Sequence, residues 1–294
     1  MPEGVIIKAL SGFYYVSSPT GLVECRARGI FRKEGITPLV GDEVIYSMSG
    51  ERGIIEELLP RKSAFQRPAV VNMDLLIAVA AAVNPVTDPY LIDRVAAIAL
   101  HAGCKVLVCI NKCDLNPGDD LYETYLHSGL DVLRVSAVTH EGLDSLREKI
   151  AGRKCVLTGN SGVGKSSLLN ALCPEFSIQV GEVSKKLGRG RHTTRHVELF
   201  DLGDGTYIAD TPGFASFDVD QIAMIEKEEY QHLFPEFSEY LGQCRFQDCA
   251  HVSEPDCAVL TALSEGKIHP SRHASYVKLY EQAAQHHAWE RKDS

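Results

Sequence analysis

A glycine-rich loop that ends in lysine and serine is the clearest chemical signature in the sequence. It matches the pattern G-x-x-x-x-G-K-S and lies between an apolar stretch at 155–157 and a predicted helix at 165–172. The backbone N–H groups of such a loop, together with the N-terminus of the helix, bind phosphate oxygens. Lys165 would reach the β- and γ-phosphates, and Ser166 would ligate Mg²⁺. We therefore predict a nucleotide phosphate site formed by Gly159, Asn160, Ser161, Gly162, Val163, Gly164, Lys165, Ser166 and Ser167.

The motif Asn111-Lys-Cys-Asp114 indicates which base is bound. It follows an apolar stretch at 106–110 that we predict to be a strand. The Asp114 carboxylate can accept from guanine N1–H and from the 2-amino group together, whereas adenine offers neither donor and would leave the carboxylate unpaired. Asn111 would support the site, and Lys112 would lie over the base. The pattern therefore favours guanine, with a P-loop ATPase or kinase as the alternative.

A short Ser136-Ala137 element lies at the end of the next predicted strand. A backbone N–H of this element would donate a hydrogen bond to guanine O6. In an open α/β sheet, ligands bind at the carboxyl edge of the strands, so this element, the N-K-x-D motif and the phosphate loop should meet there. We predict one pocket that holds GTP or GDP.

The order of these motifs is unusual, because the base-reading residues precede the phosphate loop. Asp210-Thr-Pro-Gly213 comes last, in the position of the D-x-x-G switch, and residues 188–194 are a candidate first switch. Cutting a closed domain at a surface loop and joining its old ends keeps every strand in place, so the order indicates a circular permutation. Asp210 should contact Mg²⁺ through a water molecule, and the Gly213 N–H should contact the γ-phosphate. Nucleotide state should then be transmitted to the C-terminal region that follows the switches.

The catalytic group is less well defined by the sequence than the binding groups. Phe214 follows the D-x-x-G motif and cannot orient the attacking water as a glutamine would, so intrinsic turnover should be slow. Thr193 or Thr194 is the candidate switch threonine for Mg²⁺ and γ-phosphate, and His192 beside them is the candidate for positioning water. A non-catalytic switch, in which GTP only sets RNA affinity, is the alternative.

A cluster of three cysteines and a histidine predicts a metal site near the C-terminus. Cys244, Cys249, His251 and Cys257 supply the ligand number and softness of a closed tetrahedral zinc site. Since all four positions would be filled by protein, the expected zinc ion, one per chain, is structural. It would anchor a region with too few apolar residues for a substantial core. Four other histidines are interpreted as surface residues on the last helix: His269, His273, His286 and His287.

The order of apolar stretches predicts three regions. Residues 1–65 carry about five short strands, as expected of a small barrel with either the OB or the SH3-like fold. A basic, proline-containing linker is predicted at 61–72. The second region, 66–222, then alternates strands and helices from residue 74, which predicts a parallel sheet covered on both faces. The sequence of residues 223–294 predicts helices around the metal cluster, with a final helix at about 271–291.

Composition excludes several classes of protein. The chain has 294 residues and a formal net charge of −9, and its longest apolar run is the nine residues 75–83, where a membrane helix needs about 20. The N-terminus lacks the features of a secretory signal, and nine cysteines in such a chain do not indicate a disulfide framework. We expect a cytoplasmic protein that is not bound to membranes.

The combined motifs resemble those of the RsgA family of circularly permuted GTPases. The resemblance covers nearly the whole chain and rests on Asn111 to Asp114, Gly159 to Ser166, Gly188-Arg-Gly-Arg-His-Thr-Thr194, Asp210 to Gly213 and the cysteine cluster. It implies an N-terminal OB-fold, a monomer, slow intrinsic GTP hydrolysis that the 30S ribosomal subunit accelerates, and a role in late maturation of that subunit. It also points to His192 as the water-positioning residue.

Two basic patches are candidate contacts to rRNA, despite the acidic net charge. OB-fold faces bind RNA through cationic grooves and aromatic stacking, and the resemblance implies 16S rRNA as the partner. One patch is in the predicted barrel near Phe31, and the other fills the first switch. Their residues are Arg26, Arg28, Arg32 and Lys33, and Lys185, Lys186, Arg189, Arg191 and Arg195.

Overall fold

The computed structural model describes residues 1–66, 68–173, 197–210 and 224–290, without the side chains of 210 and 286–290. Within these ranges the chain forms an N-terminal barrel, a central α/β sheet and a C-terminal helical region that ends in one long helix. None of the helices in these ranges is long and apolar enough to cross a membrane.

The barrel contains five strands: β1 (Glu3–Leu10), β2 (Phe13–Ser18), β3 (Gly21–Ala27), β4 (Glu43–Ser49) and β5 (Arg52–Leu58). It closes in the order β1-β2-β3-β5-β4, and β3 pairs with β5 in parallel while the other pairs are antiparallel. This parallel pairing distinguishes the OB-fold from an SH3-like barrel, so the OB alternative is confirmed. Alternate side chains fill the interior, including Ile6, Val16, Val44, Tyr46 and Ile55, and a short helix α1 (Gly29–Lys33) follows β3.

The predicted linker at 61–72 contains ordered structure. Strands β6 (Ala64–Phe65) and β7 (Val70–Val71) form a small antiparallel sheet. Arg61 donates from Nε to Asp42 Oδ1 at 2.8 Å and from Nη2 to Asp42 Oδ2 at 2.8 Å. These hydrogen bonds raise the pKa of Arg61. The predicted linker is therefore an ordered segment that binds the barrel through Asp42.

The central sheet contains β8 (Leu75–Ala81), β9 (Lys105–Asn111), β10 (Asp131–Arg134), β11 (Lys154–Gly159), β12 (Leu199–Asp201) and β13 (Tyr207–Asp210). Their order is β10-β9-β8-β11-β13-β12, and every pair is parallel except β12 with β13. The predicted parallel sheet is confirmed, and β12 and β13 form an antiparallel hairpin at its edge.

Helices cover both faces of this sheet, because its strands are apolar on both sides. Leu76, Val108 and Val156 face the cluster that includes α2 (Pro89–His101) and α3 (Asp119–Leu126). Ile77, Leu107 and Leu157 face the cluster that includes α4 (Leu143–Ile150) and α5 (Lys165–Leu172). This sandwich holds the carboxyl ends of the parallel strands in fixed positions.

The barrel packs on the outer strand of the sheet. Lys8 of β1 forms an ion pair with Glu198 at 3.0 Å, and the two residues make an isolated antiparallel bridge. Ser17 Oγ donates to Asp201 Oδ2 at 2.7 Å. In sequence, the β12–β13 hairpin lies between the two candidate switch segments.

The C-terminal region contains a first 3-10 helix (Lys227–His232), a second 3-10 helix (Pro235–Phe237), α6 (Ala258–Ser264) and α7 (Pro270–Glu290). In the first part of the predicted helical region 223–294, the described elements are therefore two short 3-10 helices rather than α-helix. The expectation of too few apolar residues is also wrong. Tyr230, Phe234, Phe237, Tyr276 and Leu279 are buried in the same cluster as α2 and β8.

Candidate nucleotide and metal sites

The phosphate loop joins β11 to α5 in a conformation that needs glycine. Gly159 pairs with Val79 of β8, and a Cβ at Gly159 would lie 2.3 Å from the Val79 carbonyl oxygen. Gly164 has φ +94°, and a Cβ there would lie 2.4 Å from Asn111 Nδ2. The glycines of the motif therefore allow the loop to approach β8 and the end of β9 closely.

Lys165 begins α5, and its ammonium group turns back over the loop. Nζ donates to the carbonyl oxygens of Gly159 at 2.7 Å and Asn160 at 3.0 Å. Ser166 lies in the first turn of the same helix, where the helix dipole favours anions. The predicted phosphate-binding residues are thus gathered around one helix N-terminus.

Asn111 connects the base-reading motif to the phosphate loop. It ends β9 and is 2% exposed. Its Nδ2 donates to Val163 O at 2.9 Å, and its Oδ1 accepts from Ala137 N at 3.2 Å. One buried side chain therefore bonds to both of the other predicted elements, although the three are far apart in sequence.

Asp114 is held by the Ser136-Ala137 element. Ser136, fully buried, donates its hydroxyl hydrogen to Asp114 Oδ1 at 2.6 Å. The same hydroxyl accepts from the N–H groups of Val138 at 3.2 Å and Thr139 at 3.0 Å. Because these donors fix the hydroxyl, the Asp114 carboxylate has a defined orientation. The structure therefore brings the predicted residues 111–114, 136–137 and 159–166 to one edge of the sheet.

The loop after β8 was missed by the sequence analysis and forms a further wall. Lys112 Nζ donates to Gly162 O at 2.7 Å and also to the carbonyl oxygen of Asn84. A Cβ at Gly162 would lie 3.3 Å from Pro85 Cδ. No local motif marks this loop, since its role depends on β8 lying between β9 and β11.

Several predicted residues lie outside the described part of the chain. They are His192, Thr193, Thr194 and Gly213, together with the basic residues of the first switch, and for Asp210 only the backbone, paired with Leu157, is described.

The four predicted metal ligands are also brought together. Their candidate donor atoms lie within 4.8 Å of one another. His251 Nδ1 is 3.5 Å from Cys244 Sγ and 3.4 Å from Cys257 Sγ, and those two sulfurs are 3.8 Å apart. Three sulfurs and one imidazole nitrogen at such spacing fit a tetrahedral zinc ion.

The loop that carries His251 is held by hydrogen bonds to the half-buried Glu254. Glu254 accepts from the N–H groups of Ala250, Val252 and Ser253 at 2.9–3.0 Å. Burial works to raise the pKa of Glu254, but these backbone hydrogen bonds outweigh it and lower the pKa. Burial lowers the pKa of His251, which favours the neutral imidazole that binds metals.

His273 was interpreted as a surface residue, and the structure corrects this. It is 8% exposed, and its Nε2 is 2.8 Å from the carbonyl oxygen of His251. It faces inward because α7 turns this side toward the metal loop, where Tyr276 also donates to Ala250 O at 2.7 Å. His269 has the exposed position that was predicted.

Comparison with known proteins identifies the family. The RsgA GTPase family model matches residues 58–220, and the RsgA N-terminal domain model matches residues 3–55. The chain belongs to the RsgA GTPase family. It is 44% identical over 290 residues to the small ribosomal subunit biogenesis GTPase RsgA of Bacillus cereus, covering 96% of this chain and 97% of that protein. The RsgA of Geobacillus thermodenitrificans is 45% identical over 287 residues, with 95% and 96% covered.

Solved structures of RsgA relatives agree with the fold. YjeQ from Thermotoga maritima superposes with a TM-score of 0.82 at 34% identity, covering 96% of this chain and 98% of that one. YloQ, described as a circularly permuted GTPase, gives 0.80 at 36% identity, with 97% and 96% covered. The predicted permutation, the barrel and the GTPase class are therefore confirmed, and this RsgA family member is a nucleotide-binding enzyme with a Cys₃His cluster consistent with zinc.

Replacing Gly164 by alanine should weaken GTP binding about 5- to 30-fold. The new Cβ would collide with Asn111 Nδ2 and break its bond to Val163, and backbone strain at positive φ adds to the cost, about 1–2 kcal/mol in all. Titration with a fluorescent GTP analogue measures the loss. Gly152→Ala is the matched control, because Gly152 has φ +67° but open space around its Cβ position. Equal affinities for the two variants would contradict the role of the Asn111 contact.

Proposed function

We propose that this protein hydrolyses GTP during the biogenesis of the small ribosomal subunit, with the 30S particle as activator. The observation that carries the proposal is the pair of bonds from Asn111 to Val163 and Ala137, which joins the guanine-reading and phosphate-binding motifs in one pocket. The names of the curated relatives supply the biological process. The protein would act as a monomer in the cytoplasm, where the subunit is assembled.

The roles of individual residues follow from the chemistry of phosphoryl transfer. Lys165 neutralises the β- and γ-phosphates, and Ser166 ligates Mg²⁺, with Asp210 reaching it through water. The Gly213 N–H binds the γ-phosphate, Thr193 or Thr194 completes the Mg²⁺ site, and His192 positions the attacking water. Asp114, with Asn111, Lys112, Ser136 and Ala137 around it, reads guanine. Gly159 to Ser167 supply N–H groups to the phosphates.

The Cys₃His cluster would hold one structural zinc ion. Cys244, Cys249, His251 and Cys257 leave no position for a substrate, so the ion would stabilise the loop and contribute no chemistry to hydrolysis. Metal analysis of the purified protein tests this point. One zinc per chain is expected, and less than about half an equivalent would contradict it.

We also propose that the barrel contacts 16S rRNA. Arg26, Arg28, Arg32 and Lys33 are exposed on one part of it. The guanidinium groups of Arg26 and Arg52 lie over the ring of Phe13, at 4.6 and 5.3 Å from its centroid. Cations beside an aromatic ring suit single-stranded RNA, in which bases can stack. The division into barrel (1–65), GTPase (66–222) and zinc-binding region (223–294) separates these roles.

GTP turnover with added 30S or 50S subunits tests the proposed function. We expect slow turnover alone, stimulation by 30S and none by 50S. Lys165→Ala should reduce stimulated turnover by about 10²–10³-fold, since it removes a charge aimed at the developing negative charge. Lys112→Ala removes a lysine on the base side of the pocket and is the matched control. It should weaken GTP binding rather than slow turnover. Absence of stimulation by 30S would favour the non-catalytic switch, and equal binding of ATP and GTP would exclude the guanine site.

A further inference from the structure

Gln231 bonds to the far side of the metal-ligating imidazole. Its Oε1 is 3.0 Å from His251 Nε2, while Nδ1 on the opposite side of the ring faces Cys244 and Cys257. An amide oxygen can only accept a hydrogen bond, so this contact places the imidazole hydrogen on Nε2. Nδ1 then carries the free lone pair, which is what a metal ion requires.

The surroundings make this contact a fixed one. His251 is 2% exposed, so water does not compete for its ring. Phe237 packs edge-on at a ring distance of 6.4 Å, and His273 holds the His251 carbonyl oxygen rather than the ring. The ring is therefore confined by packing, and Gln231 supplies the polar contact that decides which nitrogen carries the hydrogen.

The element that carries Gln231 is itself anchored. The first 3-10 helix begins with a reciprocal pair of bonds between Glu226 and Glu229, the arrangement of a capping box. Tyr230, next to Gln231, is fully buried in the main core. The amide is thus presented from a rigid position that lies twenty residues before the histidine in the chain.

We propose that Gln231 is a positioning residue of the metal centre, which selects the His251 tautomer and aims Nδ1 at the ion. This rests on the proposed zinc site. The same bond fastens the first 3-10 helix to the metal loop, and that helix continues the stretch of chain that begins with the D-x-x-G motif at 210–213. The metal centre would therefore anchor the first 3-10 helix, which follows the second candidate switch in sequence.

Zinc affinity of Gln231 variants, measured by competition with a chromophoric chelator, tests the proposal. Gln231→Leu should bind zinc about 10- to 100-fold more weakly than the unmodified protein, the usual cost of losing such a partner. Gln231→Glu should restore affinity to within a few-fold, because a carboxylate of the same length also accepts from Nε2. Gln282→Leu is the matched control, since Gln282 is an exposed residue of α7 that accepts from Tyr90. It should leave affinity unchanged.

The tautomer is read directly by ¹⁵N NMR of the His251 imidazole in the full-length zinc-loaded protein. Hydrogen on Nε2 is expected, and hydrogen on Nδ1 or Gln231→Leu affinity equal to that of the unmodified protein would overturn the proposal. If Gln231→Leu does not fold, the Gln231→Glu affinity and the NMR spectrum decide. If the unmodified protein binds no zinc, the proposed metal site is overturned together with the role of Gln231. If it binds one zinc per chain and Gln231→Leu has the same zinc affinity, only the role of Gln231 is overturned.

Discussion

Replacing Asp114 by asparagine is expected to convert the protein from a guanine-binding into a xanthine-binding enzyme. GTP affinity should fall about 10- to 150-fold, because a hydrogen bond to a charged group contributes about 1.5–3 kcal/mol. The affinity for xanthosine triphosphate should rise above that for GTP. The reason lies in the second oxygen of the carboxylate, which becomes an NH₂ donor in the variant.

The Ser136 hydroxyl determines which way the new amide would face. It accepts from Val138 and Thr139 and donates its hydrogen to Asp114 Oδ1. The same hydrogen would keep the amide oxygen on the Ser136 side and leave the NH₂ group toward the substituent on C2 of the base. The asparagine NH₂ group would repel the 2-amino group of guanine and donate a hydrogen bond to the 2-oxo group of xanthine.

Competition binding and turnover with GTP, ATP and xanthosine triphosphate measure the switch. Asp119→Asn is the matched control, because Asp119 is an exposed aspartate near the same loop that pairs with Arg134 at 2.6 Å. It should leave base preference unchanged. A variant Asp114→Asn that still prefers GTP, or that binds the three nucleotides as the unmodified protein does, would show that Asp114 does not read the base.

That the candidate nucleotide-site residues lie together could be predicted from the sequence, because each of their motifs is local and lies at the end of a strand. The apolar residues before Asn111 and before Gly159 predict parallel strands, and the carboxyl ends of such strands meet at one edge. The direct bond between Asn111 and the loop residue Val163 is a consequence of this arrangement. A motif at a strand end therefore specifies a position in space, even when the chain order is permuted.

Pairing between distant strands could not be predicted in the same way. Five short barrel strands were visible, but the parallel contact of β3 with β5 decides the fold, and nothing in either strand alone indicates its partner. The loop at Asn84 and Pro85 is a similar case. It reaches Lys112 and Gly162 only because β8 lies between β9 and β11.

The C-terminal region shows two further reasons for error. Tyr230, Phe234 and Phe237 have the spacing of one α-helical face, but Pro235 begins a separate helix, so the same residues are buried by two 3-10 helices. The burial of His273 did carry a signal that was overlooked, because with Tyr276 and Ala283 it forms a helical stripe on α7. Gln231, a single polar residue in a charged stretch, carries none.

A buried ionic network joins the C-terminal region to the GTPase sheet. Arg272 of α7 is 1% exposed and donates from Nη1 to Asp93 Oδ1 of α2 at 2.6 Å. Its Nε and Nη2 donate to Glu236 in the second 3-10 helix at 2.7 and 3.0 Å. Tyr125 of α3 donates its hydroxyl to the same Asp93 oxygen at 2.8 Å. Burial works to lower the pKa of Arg272, but the two carboxylates outweigh it and raise the pKa.

Replacing Arg272 by methionine should therefore destabilise the protein by about 3–5 kcal/mol, since two carboxylates would remain buried without their cation. Urea denaturation of the zinc-saturated protein measures the free energy of unfolding. Arg28→Met is the matched control, because Arg28 pairs with Glu56 while its own side chain is 53% exposed. The control should lie within about 1 kcal/mol of the unmodified protein.

A triple variant distinguishes two effects of losing Arg272: the lost attraction between Arg272 and the carboxylates, and the burial of carboxylates without a cation. Arg272→Met combined with Asp93→Leu and Glu236→Leu removes all three charges and should recover most of the stability, because buried ion pairs replaced by apolar residues are often neutral or better. Tyr125 would then keep only the Pro89 carbonyl oxygen, at 3.1 Å, as an acceptor, so recovery should be incomplete by up to about 1 kcal/mol. If Arg272→Met alone costs less than about 1 kcal/mol, the network does not hold α7 against α2, and other contacts, such as the buried aromatic side chains, attach the C-terminal region.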